Sequence, residues 1–574
     1  MSQIAIAETK PRGTQQLTLL DRLSVFSLKI FGGPARRLAG RMYGLRDNIL
    51  KSNLRTTPVA LVSLSLFITT ITIVVTAVVV VLAFVLNFLL LTLVVIAPPV
   101  AFVLSLNAPR ISQSSRSYAL ENELPYLVGY MQVLSSGGVS PTSTLRRVAR
   151  MEELLPASSK EARLILVDTD VFGLDPITAL EKAAKYDPNK TFSEFLYGYT
   201  TVLKTGGDVQ AYVTIKQKEI MDAMSTKIRR TSDTIGTLAE AYLTLTAVLG
   251  ITLFTLYQVQ AIVSHSQAGI TNILLFAFLV VPLVSVLFIY LLDGLGTKQP
   301  YLDKRPYKAF AISAPIGAAF FVLPLPLPLF LHASIALMAT VLVPAVLSVK
   351  YGREKHGLEV KLPEFVRDMA ENRKVGLPPE TGIEQLGVKS YGRLSRPVKK
   401  MGAQLSWGLS LSSVISTFIN SVNSWLTKVV GALMLEVVDV GGGTVKSFSE
   451  MADFTRKIND LEAEKRSALR PYVFVMYMAA MMIVLTTFLM VYFLTATPIA
   501  GAGAASAAAL APKVSSGTIE LLLVSAIFES WVVGLVAGKM GEGGVSDGFK
   551  HSALLVLFSV IAVFFTSFFL KVPL

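Results

Sequence analysis

The sequence predicts an all-α fold: a polytopic integral membrane protein of about nine transmembrane helices carrying two repeated helical-bundle modules. Three observations predict it. The 574 residues are 52% hydrophobic and only 16% charged, with a mean hydropathy of +0.57, whereas soluble domains average about 25% charged residues. The hydropathy comes in long uncharged blocks separated by strongly charged ones. The two longest charged blocks also repeat each other.

A helix needs about 20 apolar residues to cross a hydrocarbon core of ~30 Å. The block from Pro58 to Leu106 holds no charged side chain, is too long for one span and fits two, turning between Val80 and Asn87. The next pair falls at Leu238–Ser264 and Ile270–Leu292, followed by a short loop over 293–308. A third pair spans 309–349, as Ala309–Pro328 and Leu331–Val349, interrupted by Pro324, Pro326 and Pro328. Segments broken by proline in this way also suit re-entrant hairpins. Three more spans fit Pro471–Leu494, Thr518–Ala537 and Ser552–Leu570.

Orientation follows from the basic residues. The first 57 residues form a basic region, with ten Lys and Arg against three acids between positions 1 and 55. With that end cytoplasmic, four connections face outward: those near Asn87, His265 and His332, and the loop over 495–517. Together they hold one basic residue, Lys513, which is the positive-inside pattern. The loop over 538–551 is then cytoplasmic, and the end of the last segment, 552–574, lies outside. No signal peptide is expected ahead of the first span. Cysteine is absent, so disulfides, thiolate metal sites and a Cys nucleophile are excluded. The net charge of +14 is largely the positive-inside bias summed, or else marks basic faces for an acidic partner or lipid headgroups. No aromatic-basic stripe points to nucleic acid.

The two charged blocks, 110–237 and 350–470, are each long enough to bury a core. Apolar residues three and four apart, as in Leu127, Met131 and Leu134, read as helices. Ser158 and Glu161 fit a capping box, and Asp187-Pro188 fits a helix start. A shift of 238 residues lays Leu124-Pro125 on Leu362-Pro363, Val128 on Val366, Met131 on Met369, Gly138 on Gly376 and Pro141 on Pro379. A shift of 235 lays Gly173-Leu174 on Gly408-Leu409, and Gly206-Gly207 on Gly441-Gly442. After each glycine pair a charged helix runs into a span, joining it at Thr237–Leu238 and Arg470–Pro471.

This order of Leu-Pro, Gly-x-x-Pro, Gly-Leu, Gly-Gly, long helix and span resembles the type II secretion system F domain. Two such domains among about nine spans resemble the archaeal platform proteins of type IV pili and the archaellum, the FlaJ and TadC-like group. The tail Gly534-x-x-x-Gly538-Lys539-x-x-Glu542-Gly543 with Gly548-Phe549-Lys550-His551-Ser552 is similar to that group's C-terminal signature. The resemblance implies a plasma-membrane platform, working as a homodimer. On it a cytoplasmic hexameric, RecA-like secretion ATPase docks, and pilin or archaellin subunits enter the filament. It implies no chemistry, cofactor or metal of the chain's own. The absence of a P-loop and of a nucleophile elbow agrees.

The basic helical faces are the candidate ATPase-docking surfaces: Arg146, Arg147 and Arg150 in the first module, and Lys389, Arg393, Arg396, Lys399 and Lys400 in the second. Such charges steer an acidic partner, or they are simply solvated. Glu240 and Glu529 are candidates for intramembrane coupling. Mid-span, Glu529 must face protein or water, where it meets a partner subunit or bonds internally, as to Ser525. Gly206, Gly207, Gly441 and Gly442 read as hinges or as helix C-caps, and Gly534 and Gly538 as close-packing positions. A secondary transporter is the rival class, since it too would have many spans and a repeat. Transporter repeats, however, are built from the spans themselves.

Overall fold

The computed structural model describes residues 19–54, 56–85, 94–250, 252–253, 256, 268–296, 304–324, 326–441, 443–496 and 516–570. The described chain is helical, with no strand among these residues. It divides into two compact units, Met1–Leu124 with Leu145–Tyr212 and Pro125–Thr144 with Val213–Leu574.

In the first unit, α1 (Leu19–Arg41) packs on α3 (Pro58–Val85), and α2 (Leu45–Ser52) joins them. Leu45 and Ile49 from α2 and Leu61 and Val62 from α3 close a small core around Ala35. Next, α4 (Ala97–Leu106) packs on α3 and leads into α5 (Ala108–Ser136). After α6 (Pro141–Val148) come α7 (Pro156–Asp170), α8 (Pro176–Tyr186) and α9 (Lys190–Thr205), which pack as consecutive neighbours. Their starts show why the chain turns there. Asp175 accepts from the Ile177 and Thr178 amides ahead of α8, and Asn189 accepts from Phe192 ahead of α9, supplying partners for otherwise orphaned N–H groups. The start expected at Asp187-Pro188 therefore lies two residues later, at Asn189, while the Asp187 carboxylate accepts from the Asn189 amide at 2.7 Å. Ser158 is not a cap either. The first amides of α7 are taken by the distant Glu123, whose Oε1 and Oε2 accept from Ala157 and Ser158 at 3.0 and 2.7 Å.

The second unit begins with the end of α5 and takes up α10 (Val209–Leu243) from Val213 onward. A π-helical turn follows at Thr244–Val248. Then come α11 (Ala268–Leu275), a second π-turn (Phe276–Val280), α12 (Val281–Leu295), α13 (Arg305–Val322) and α14 (Leu329–Lys374). The second module continues with α15 (Pro379–Leu386), α16 (Ser395–Ser406), α17 (Leu411–Ser421) and α18 (Trp425–Gly441). The chain closes with α19 (Val445–Ala496), α20 (Ser516–Glu542) and α21 (Val545–Leu570).

Among the described residues six helices are long and apolar enough to cross a membrane: Pro58–Val81, Phe276–Leu295, Leu329–Lys374, Val445–Leu489, Ile519–Glu542 and Val545–Phe565. A seventh arises if Val94–Leu106 and Ala108–Ser136, bent by 55° at their junction, form one span. The expected nine is not reached among the described residues, for two reasons. Most of the Leu238–Ser264 span beyond Gly250, and the loop near His265, lie outside them. The apolar part of α13, from Ala309 to Val322, is only ~21 Å long at 1.5 Å per residue, short of the core thickness. α3 runs on to Val85, so what remains of the turn expected between Val80 and Asn87 lies outside the described set, as do residues 86–93, most of 495–517 and 571–574. In the bundle α20 is central. Its apolar window is 78% buried, packed by α19, α21, α14 and α12, which is why it is apolar on every side.

The repeat is structural as well as sequential. Pro125 and Pro363 lie inside α5 and α14. Gly138 and Gly376 both take left-handed backbone (φ 80° and 86°), and Pro141 and Pro379 both open the following helix. Gly173 and Gly408 likewise share positive φ, at 66° and 79°. Val128 with Val366, and Met131 with Met369, are core residues of their modules.

Candidate functional site

The second unit contains a seam between two long helices, each of which runs from a module toward the membrane. α19 is one helix of 52 residues, about 78 Å at 1.5 Å per residue, and it passes through Pro471 without a break. α10 lies beside it in parallel. Gln217 Oε1 accepts from Lys457 at 3.4 Å, and Glu464 accepts from Ser225 at 2.9 Å and pairs with Arg229 at 2.5 Å. Tyr472 lies against Gly236 so closely that a Cβ there would sit 2.4 Å from its hydroxyl. These partners are offset by 240, 239, 235 and 236 residues, close to the repeat shifts themselves. Equivalent helices of the two modules therefore run side by side in register. The apolar part continues below, where Ile235, Ala239 and Tyr242 share a core with Leu469 and Met476. Both expected joins, Thr237–Leu238 and Arg470–Pro471, fall inside unbroken helix, and the irregularity comes lower, at the π-turn Thr244–Val248. Such turns are often found at functional positions.

At its upper end α19 also grips the end of α5. Phe454 fills the space over Gly129, where a Cβ would lie 2.3 Å away, and Gln132 donates to Glu450 at 2.5 Å. Ser136 and Ser447 meet at 3.3 Å, beside a small cavity lined by Val133, Gly137, Val437 and Gly443.

The first module is fastened by a buried ionic knot. Arg116 donates from Nε and Nη2 to the two oxygens of Glu161 at 2.7 and 2.5 Å and lies 3.7 Å from Asp187. Burial, then the nearby Glu161, pushes the Asp187 carboxyl up to about 7, because one guanidinium serves two carboxylates in a poorly solvated place. Burial also raises Glu123, against the two amide bonds that favour its ionised form.

The candidate docking residues fare differently. Arg146 pairs with Asp170 at 3.0 Å, Arg147 is half-buried and Arg150 is exposed. Lys389 is held by Asp368 at 2.5 Å and Glu364 at 3.5 Å, which raises its pKa through the Asp368 hydrogen bond first. Arg393 lays its methylenes over Gly357. Arg396, Lys399 and Lys400 stand exposed on α16 with no ion pair among the described residues. One residue escaped the sequence reading. Trp407, on the stripe of Arg396 and Lys400, is 80% exposed. Its counterpart at the 235-residue shift is Phe172, 69% exposed, with Lys182 5.9 Å from the ring. The signal was present in the repeat alignment, since each aromatic immediately precedes the matched Gly-Leu.

In the membrane, Glu529 is 2% exposed, and its Oε1 has no hydrogen-bond partner. Ser525 bonds instead to the Leu522 carbonyl. Glu240 is exposed on α10, so the two acids differ in kind. Gly534 and Gly538 pack within the chain, with backbone atoms of Ser552 and Gly548 2.1–2.4 Å from where their Cβ atoms would lie. The tail motif builds a polar cluster at this hairpin: Lys550 pairs with Glu542, His551 meets the Tyr477 hydroxyl at 2.8 Å, and Lys539 meets Asp293 at 2.6 Å. Gly206 is the left-handed C-cap of α9 (φ 67°), with Gly207 next to it, and Gly441 ends α18. Gly442 lies outside the described residues. No cluster of three His, Cys, Asp or Glu suited to a metal occurs among the described residues.

The family model for type II secretion system protein F matches residues 127–257 and 365–492, the two modules with the spans that follow them. An uncharacterized protein of Methanocaldococcus jannaschii is 21% identical over 491 residues, covering 78% of this chain and 80% of its own length. The flagella accessory protein J of the same organism is 21% identical over 413 residues, covering 68% and 72%. No solved structure matches.

Proposed function

We propose that the chain, whose two modules match the type II secretion system F family and which is similar to flagella accessory protein J, is an archaeal type IV filament platform protein, and that it docks a cytoplasmic hexameric secretion ATPase and couples ATP turnover to insertion of pilin or archaellin subunits. The two modules and the amino-terminal side face the cytoplasm of the plasma membrane, and the platform works as a homodimer. It transmits force, and the chemistry belongs to the ATPase. The observation that carries this reading is the seam. Two equivalent helices, locked by Arg229, Glu464 and Gly236, pass the joins Thr237–Leu238 and Arg470–Pro471 without a break. A displacement applied to the modules therefore reaches α20, and with it Glu529, through stiff, continuous elements.

The exposed face of α16 is the proposed docking surface, with Arg396, Lys399 and Lys400 steering an acidic rim and Trp407 as its apolar anchor. Tryptophan and arginine dominate binding hot spots. The test uses the full chain in nanodiscs and its purified ATPase across a salt series. Reversing Lys399 and Lys400 to Glu weakens binding at moderate salt, and the difference shrinks as salt rises. Trp407→Ala weakens binding about 30-fold, the ~2 kcal/mol of a hot spot, with the salt slope unchanged. Wild-type affinity in both variants at every salt concentration would remove this face from the account.

A further inference from the structure

α1 is amphipathic in an unusual way: one face is used internally and the opposite face is both apolar and basic. The inner face meets α3 through Ser27, whose hydroxyl is 3.2 Å from that of Ser63, and through Ala35. Phe26 packs edge-on against Phe67 with centroids 5.7 Å apart. These contacts make α1 antiparallel to α3, with its amino-terminal half toward the apolar part of the span. On the outer face Leu23, Val25 and Ile30 are exposed, and Phe26, at the border with α3, is half-exposed. Arg22, Lys29 and Arg36 recur every seven residues on the same side, and Arg37 and Arg41 extend the charge toward the helix end. None of the five basic residues has an ion pair among the described residues.

The span next to α1 fixes its level. α3 has 28 residues, about 42 Å at 1.5 Å per residue, roughly 12 Å more than the hydrocarbon core. Its surplus lies at the start, because Ala60, Leu61, Val62, Ser63 and Ser65 are covered, while the exposed apolar series begins at Ile68 and continues through Ile71, Val74, Val78 and Val81. The hydrocarbon boundary therefore falls near Phe67, level with Phe26. We infer that the amino-terminal half of α1 lies in the interfacial zone of the adjoining leaflet. Leu23, Phe26 and Ile30 extend the lipid-facing belt of α3, and Lys29, Arg36, Arg37 and Arg41 take anionic lipid headgroups. Lys and Arg stems can lie along apolar surface while their charges reach the headgroups. Apolar burial with flanking basic charge is how interfacial helices bind. The inference does not depend on the platform role.

The chain has no cysteine, so single cysteines at positions 26, 30, 78 and 190 of the full chain accept an uncharged fluorophore cleanly. Val78 serves as the lipid-facing reference, and Lys190, with a 90% exposed side chain, as the aqueous one. The protein is reconstituted in phosphatidylcholine vesicles with and without phosphatidylglycerol. Labels at 26 and 30 are expected to be quenched by brominated lipid like the one at 78, and to be shielded from aqueous iodide. Brominated phosphatidylglycerol is expected to quench them more than brominated phosphatidylcholine, and each Arg→Gln change at 36, 37 or 41 lowers that preference by up to ~5-fold. Iodide quenching at 26 and 30 equal to that at 190 would overturn the inference. So would protection from both lipid and iodide, the pattern of a face covered by a second copy. Equal quenching by the two lipids would overturn the headgroup assignment.

Discussion

Gly538→Ala addresses the packing on which the membrane bundle rests. A Cβ at this position lies 2.1 Å from the Gly548 nitrogen and 2.2 Å from its Cα, at least 1.2 Å inside the 3.4 Å limit of ordinary contact. The obstacle is backbone, so no side chain can rotate away; α20 and α21 must separate. Overpacking of this kind costs about 1–3 kcal/mol, and the rigid obstacle argues for the upper end. Replacing a helical glycine by alanine returns up to about 1 kcal/mol, leaving a net loss of about 1–2 kcal/mol. Gly352, exposed in α14 with nothing within 4 Å of its would-be Cβ, is the control, where Ala should be neutral or stabilising by up to about 1 kcal/mol. Unfolding of the purified full chain in mixed detergent and SDS reads both. The opposite signs are the prediction. A Gly538→Ala protein as stable as wild type, alongside a stabilised Gly352→Ala protein, would mean that the hairpin is not held this close.

Three further outcomes follow from the same packing. Burial, then the nearby Glu161, pushes the Asp187 carboxyl up from 3.8 to about 7, so between these values the folded state holds a proton that the unfolded chain has lost, and stability falls as pH rises from about 4 to 7; Asp187→Asn should flatten that fall in a thermal-melt series. Glu123→Ala leaves the half-buried Ala157 amide and the buried Ser158 amide without their acceptor and should cost about 1–3 kcal/mol, while Glu123→Gln, which keeps one acceptor, should cost less, as read by the same detergent titration. Glu529→Gln should slow filament assembly if the carboxyl at this buried position carries load or a proton. Assembly at the wild-type rate would show that its ionisation has no mechanical part.

Much of this was legible in the sequence, for reasons that differ by element. The spans could be read because the bilayer demands length and apolarity, which composition records directly. The modules could be read because Gly138 and Gly376, and Pro141 and Pro379, mark turns whose backbone only a few residues accept. What stayed hidden are contacts between residues far apart in the chain. Glu123 caps a helix 34 residues away, so the local Ser158–Glu161 pattern was misleading, and Glu161 proved to be the partner of Arg116. The pairing of α10 with α19 across more than 230 residues had no local signature, although the repeat shift contained its register. The short apolar run of α13 was overcounted because hydropathy alone does not show where proline stops a helix.

The central claim is that α10 and α19 carry force as one unit. It is tested most directly by joining them. In this cysteine-free chain, cysteines at Ser225 and Glu464, whose side chains meet at 2.9 Å, can be bridged by a short thiol-specific linker. Filament assembly is then measured in cells or in a reconstituted system with the ATPase present. The account predicts that the bridge forms readily and that assembly proceeds at the wild-type rate, since the seam moves as a body. Loss of assembly with ATPase binding intact would mean that the two helices must slide past each other, and would contradict it.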